Sequence, residues 1–355
     1  MNEQSFLRLI SGQSRGLTAS LLRGILKLSS GPYAAAMWLR NRRFDRSPNA
    51  VQRLNVPVIA VGNLTTGGTG KTPVVAWIVQ QLIGNGLRPG IVSRGYGADA
   101  SGANDEKRVL QIACPDVPHE QNPDRIAAAQ TLVERHKVDV IVCDDAFQHR
   151  RIGRDLNIVL IDATNPFGYD HLLPRGMLRE PVSSLKRADV VLLTRADHVA
   201  EPQLSVIEER ITAVCPGLAR VIFRVSFKPS TLLTKAGNRL PLSSVDGRSV
   251  AVMTAIGNPA AFEETCRRLG AMIVARRFFP DHHLFTTAEV DEVQQLARQA
   301  NAETILTTLK DLVKIPDQHD NLRAVHIETS FESKTAERAF REHLLNAVRS
   351  SKPIG

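Results

Sequence analysis

"GNLTTGGTGKTP", residues 62–73, decides the fold. It follows the apolar run "PVIAVG" at 57–62 and leads into "PVVAWIVQQLI" at 73–83. A β-rich run, a glycine turn and a helical apolar pattern form the strand–loop–helix of a phosphate-binding loop. Such a loop points backbone N–H groups inward and sets a helix N-terminus behind them, so it cradles an anion. The usual spacing puts its first glycine at position 65, where this chain has Thr65. Gly67, Gly68 and Gly70 keep the freedom the turn needs. The predicted nucleotide-binding run is therefore Thr65, Thr66, Gly67, Gly68, Thr69, Gly70, Lys71 and Thr72. Lys71 is placed to neutralise the β- and γ-phosphates, and the Thr72 hydroxyl to hold magnesium.

Further along, "VDVIVCDDAFQHR" at 138–150 is an apolar strand ending in two carboxylates. Asp144 and Asp145 are the predicted acidic partners of a hard cation beside transferred phosphate. "PGIVSRGYG", "LNIVLIDA" and "DVVLLTR" repeat the buried-strand pattern, separated by helical stretches. Strands alternating with helices predict an α/β fold with a parallel sheet covered on both faces. Around 221–240, "VIFRVSF" and "TLLTKAGNRLPL" predict two antiparallel strands with a Gly237-Asn238 turn. A second α/β alternation follows from "SVAVMTAIG" onward. The expected layout is a basic leader at 1–56, a nucleotide-binding domain at 57–220, a two-stranded connector at 221–246 and a smaller α/β domain at 247–345.

The leader is set apart by charge. The whole chain carries +9, and residues 1–56 hold nine basic side chains against two acidic ones. Leu17, Leu21, Leu22, Ile25, Leu26 and Leu28 recur at helical spacing among Arg23 and Lys27, up to a predicted break at Gly31-Pro32. That pattern fits a helix lying on an anionic membrane surface better than an arm on nucleic acid; a helix packed on its own domain with the arginines outward is the other reading. No apolar run approaches the roughly 20 residues needed to span a bilayer. Cys114, Cys143, Cys215 and Cys266 are scattered, which predicts reduced thiols rather than a disulfide framework.

Six motifs in order, "VGNLTTGGTGKTP", "VSRGYG", "DDAFQHR", "LLPRGMLREP", "FPDHH" and "TTLKDLVK", resemble the tetraacyldisaccharide 4′-kinase family. The resemblance spans about residues 30 to 345, and a non-glycine at position 65 is a habit of that family. It implies a P-loop NTPase-like domain and a smaller α/β/α domain joined by a two-stranded connector. It implies transfer of the ATP γ-phosphate to the 4′-hydroxyl of a tetraacylated disaccharide 1-phosphate, giving lipid IVA at the cytoplasmic face of the inner membrane. In that scheme Thr72, Asp144 and Glu180 organise Mg2+, with Asp145 beside them, and Arg179 adds positive charge near the phosphates. Asp105 in "GANDEK" is the base, assisted by His282, with His283 as the alternative. Here Asn104 replaces the family's glycine and Lys107 its proline. The family scheme puts base and histidine on separate domains, so that closure would pair them. The expected partners are ATP, the lipid disaccharide and the membrane surface, with the chain peripheral and monomeric. Two other readings stay open: a P-loop nucleotide switch acting through partner binding, and a kinase of a soluble small molecule.

Overall fold

The computed structural model describes residues 3–95, 104–281, 283–316 and 319–350. In chain order the elements begin with helices α1 (Glu3–Ile10) and α2 (Leu17–Arg46), strand β1 (Val58–Asn63), α3 (Lys71–Gly84) and β2 (Pro89–Ser93). Next come α4 (Asp105–Ala113), β3 (His119–Gln121), α5 (Arg125–His136), β4 (Val140–Cys143), β5 (Leu156–Asp162), β6 (Val190–Thr194) and α6 (Glu201–Val214). Then follow β7 (Ile222–Leu233), β8 (Arg239–Leu240), β9 (Ser249–Thr254), α7 (Pro259–Arg268), β10 (Met272–Phe278) and α8 (Thr287–Gln299). The last elements are β11 (Thr304–Thr308), α9 (Leu309–Leu312), β12 (Leu322–Phe331) and α10 (Lys334–Ser350).

The chain divides into two compact units. The first holds residues 1–94, 117–226 and 330–355. Its strands run β7-β6-β5-β1-β4-β2-β3, each pair parallel. β1 is central and its residues are all buried, as are those of β4 and β6. Strand order reverses at β1, with β4 on one side and β5 on the other, and ligands gather beyond the carboxyl ends of strands at such a point. The second unit holds residues 95–116 and 227–329, with β10-β9-β11-β12 in parallel order around a core that includes Met253, Val293, Ile305 and Leu312.

Three expectations are corrected here. "VIFRVSF" and "STLL" belong to one continuous strand, β7; its antiparallel partner after the turn is only the two-residue β8. The neighbour of β7 on its other side is β12, and each of these two strands carries residues of both units. Second, α10 belongs to the first unit rather than to a domain ending at 345. Its Phe340 meets Trp77 of α3, Phe331 and Phe223 with ring centroids 5.4–5.5 Å apart. Third, α2 is not broken at Gly31-Pro32 but runs through it as one helix. Pro32 lacks an amide hydrogen, yet the helix is held on both sides of it. The Ser30 hydroxyl donates to the Leu172 carbonyl at 3.1 Å, and the Tyr33 hydroxyl to the Arg179 carbonyl at 2.8 Å. Leu17, Leu21, Ile25 and Leu28 of α2 stay exposed, Leu17 at 91%. No helix among the described residues is long and apolar enough to cross a membrane, and no disulfide joins the four cysteines.

Candidate active site

β1 delivers the chain to the loop through a close approach. A Cβ on Gly62 would lie 2.6 Å from the Phe147 Cβ and N, so only glycine lets β1 pass the turn after β4. The missing loop glycine has a physical reason. Thr65 forms an antiparallel β-bridge with Leu178, and the Thr66 amide donates to the Met177 carbonyl at 2.8 Å. The chain is extended there and needs no glycine. Gly67 and Gly70, with φ of 102° and 85°, occupy the left-handed region that does need one. Gly70 immediately precedes Lys71 and Thr72, the first two residues of α3. The loop is also tied from β6: the Thr194 hydroxyl donates to the Thr69 carbonyl at 3.0 Å, and Arg195 to the Gly68 carbonyl at 2.7 Å.

Around this loop the charges converge on Asp145. The Lys71 Nζ stands 3.5 Å from it and 3.2 Å from the Asn63 Oδ1. Arg179 grips both its oxygens, at 3.0 and 2.8 Å. Burial pushes this carboxyl up, but hydrogen bonds from Arg179 and the charges of Lys71, Arg179 and Arg125 outweigh burial and hold it far below the usual carboxylate range. Asp145 sits at φ 49°, a left-handed conformation that Asp tolerates better than most residues. Asp144 follows β4, 1% exposed, with its amide on the Val92 carbonyl at 2.8 Å. Two cations, loop amides and a helix N-terminus thus meet at the carboxyl end of β1. Chemically this is a seat for a polyphosphate.

The family model for LpxK, tetraacyldisaccharide-1-P 4′-kinase, matches residues 22–349. The chain belongs to that family. A tetraacyldisaccharide 4′-kinase of Anaeromyxobacter dehalogenans (strain 2CP-C) is 38% identical over 88% of each chain. One of Bdellovibrio bacteriovorus is 32% identical over 91% of this chain and 98% of its own. Among solved structures, LpxK of Aquifex aeolicus in complex with ATP aligns with a TM-score of 0.75 at 28% identity, covering 92% of this chain and 99% of that one. The chain is thus a family kinase with the P-loop NTPase-like fold.

Not every residue expected from the LpxK family lies where expected. Lys71, Thr72, Asp144, Asp145 and Arg179 surround or adjoin the loop. Glu180 is fully buried, and its two oxygens go to Arg40 of α2 and, at 2.5 Å, to Arg187. Two guanidiniums therefore share this carboxylate. Asp105 opens α4, and the departure at Asn104 has a use. The Asn104 side chain caps this helix, accepting from the Lys107 amide at 2.9 Å. α4 belongs to the second unit, where Val109 and Ile112 pack on its core. Residues 227–329, with the histidine motif, lie in that same unit, which corrects the expectation of base and helper on separate domains. His282 itself lies outside the described residues. The His283 imidazole is committed elsewhere: its Nε2 stands 3.0 Å from both Glu289 oxygens, and its ring stacks on Phe279 at 4.9 Å.

Three residues escaped the sequence reading. Asn63 receives Lys71 and Arg179 on its side chain, and its Nδ2 donates to the Thr65 carbonyl at 2.8 Å. Arg125, buried at the start of α5, donates to the Asp145 carbonyl at 2.9 Å. Arg195 pairs with Asp162 besides holding Gly68. Asn63 had a legible signal, a polar residue closing an apolar strand just before the loop. Arg125 had none, because its partners are backbone carbonyls.

Proposed function

We propose that the chain moves the γ-phosphate of ATP to the 4′-hydroxyl of a tetraacyldisaccharide 1-phosphate, forming lipid IVA. The observation that carries this reading is the Lys71–Asp145–Arg179 cluster at the mouth of the loop, in a chain of this kinase family. Lys71 and Arg179 rest on Asp145 and turn to phosphate oxygens when the nucleotide enters. Thr72 and Asp144 would hold Mg2+. Their donor set fits that ion, which is commonly bound by one or two carboxylates plus substrate phosphates. No cluster of three or more acidic, histidine or cysteine side chains able to hold a metal by themselves occurs among the described residues. The ion supplies charge neutralisation on the transferred group.

Asp105 takes the proton of the acceptor hydroxyl as its oxygen attacks the γ-phosphorus and the bond to the β-phosphate oxygen breaks. His282 orients Asp105, a reading supported by the prior engagement of His283 with Glu289. The exposed leucines of α2 rest on an anionic bilayer surface, keeping a monomeric enzyme peripheral at the cytoplasmic face of the inner membrane. The test is product formation from ATP, Mg2+ and the acylated disaccharide phosphate. Wild type yields the bisphosphorylated lipid, while Asp105→Ala and His282→Ala lose at least a hundredfold in turnover and still bind ATP. Absence of product from wild type would overturn the reading.

A further inference from the structure

A groove of about 490 Å³ in the first unit takes no part in the nucleotide site described above. Trp38 of α2, Leu172 and Pro181 line its apolar side, and Arg150, Lys186 and Arg187 its basic side. Lys71, Thr72 and the loop glycines are not among its walls. It adjoins the phosphate site through the chain itself, because Arg179 grips Asp145 while the next residue, Glu180, anchors Arg187.

Charge in this groove is unbalanced. Arg150 pairs with Asp45 at 2.6 Å, and Arg187 and Arg40 share the single carboxylate of Glu180. Lys186 is exposed and forms no ion pair among the described residues. On the groove's own walls three cations, Arg150, Lys186 and Arg187, therefore face the single carboxylate of Asp45. The Arg187 guanidinium is weakened first by burial, and also by the like charges of Arg150 and Arg40, against the opposing pull of Glu180. Such a surplus, beside an apolar wall, calls for a divalent anion carried on an amphipathic molecule. A phosphate monoester brings roughly −1.5 to −2 at neutral pH, which matches the excess.

We infer that this groove is the subsite for the phosphate the acceptor glycolipid already carries, with Lys186 and Arg187 as its cationic grip and Trp38 against the adjoining sugar or acyl root. This rests on the kinase reading, in which the acceptor bears one phosphate remote from the hydroxyl that reacts. The occupant is the acceptor rather than a bilayer phospholipid, because the groove follows directly in sequence from the residue holding Asp145. The helix that supplies Trp38 also carries the exposed Leu17, Leu21 and Leu28, so one element faces both headgroup and acyl region.

The experiment compares two acceptors, the acylated disaccharide 1-phosphate and the same disaccharide without its phosphate. It uses wild type, Lys186→Glu and Lys186→Arg. Wild type favours the phosphorylated acceptor in kcat/KM; Lys186→Glu cuts that preference about tenfold, and Lys186→Arg retains it. Equal preference in wild type and Lys186→Glu overturns the subsite. Binding of the two acceptors in detergent micelles is measured in parallel, and the same tenfold loss is expected there. If wild type transfers no phosphate to either acceptor, the kinase reading fails, while micelle binding still decides the groove. A Lys186→Glu defect in binding phosphatidylglycerol vesicles, with acceptor preference intact, assigns the groove to bilayer phospholipid and overturns the proposal.

Discussion

At the scale of single residues, Asp145 holds Lys71 and Arg179 beside the loop, where the proposed reaction puts the phosphate oxygens. The Arg179 fork reaches both carboxylate oxygens, and a lysine cannot reproduce that geometry. Arg179→Lys is therefore expected to lower kcat/KM for ATP at least tenfold while the melting temperature moves little; unchanged ATP kinetics would refute this role. His149, behind the acidic pair, is lowered to about 4 by burial first and then by Arg125, Arg154 and Arg151, against a pull from Asp124. The unfolded chain takes up that proton near pH 6.5 and the folded one only near 4. Its contribution to stability is thus complete above pH 6.5 and is lost as pH falls toward 4. His149→Gln should flatten the slope of stability against pH in that window by about one proton, as read from urea unfolding at several pH values. The loop run and Asp144-Asp145 were legible because apolar strands ending in those residue types have few other uses. Arg125 was not, since a side chain that serves a backbone carbonyl leaves no spacing pattern.

Among elements, buried strands were the easiest to read and amphipathic or very short ones the hardest. β1, β4, β5 and β6 are continuous apolar runs, as strands covered on both faces must be. β3 is the three-residue polar "HEQ", and β12 mixes Arg323, His326 and Glu328 into its apolar pattern, so neither declares itself. The predicted break in α2 followed the local rule for proline, and anchoring by Ser30 and Tyr33 overrode it. Docking of α2 also depends on Glu180, which takes Arg40 from this helix and Arg187 from the segment before β6. Glu180→Ala leaves two guanidiniums without their carboxylate. Removing one partner of a buried pair costs several kcal/mol, and the partial exposure of both arginines reduces this to about 2 kcal/mol. The expected result is that loss in denaturant unfolding, together with faster hydrogen exchange in the second half of α2. If α2 kept full protection in the variant, the carboxylate would not be what docks it.

For the whole molecule, sequence order is a poor guide to which segments fold together. Residues 95–116 lie between strands of the first unit yet join the second, and α10 follows the second unit yet joins the first. A linear division at 220 and 247 could register neither, because apolar periodicity locates elements without naming the core that each one enters. The physical bond is the aromatic cluster: Phe340 is fully buried against Trp77 of α3, Phe331 and Phe223. α3 begins with Lys71 and Thr72, so α10 braces the helix that opens at the end of the glycine loop. Phe340→Ala empties the centre of that cluster at a cost of about 3–5 kcal/mol. The chain has two tryptophans, so in a Trp38→Phe background the emission comes from Trp77 alone. Its thermal transition should fall by about 10 °C in Phe340→Ala, with weakened ATP binding, while amides of β9 and β11 keep their hydrogen-exchange protection. Loss of protection in β9 and β11 with the Trp77 transition unmoved would place α10 with the second unit and refute this division of the chain.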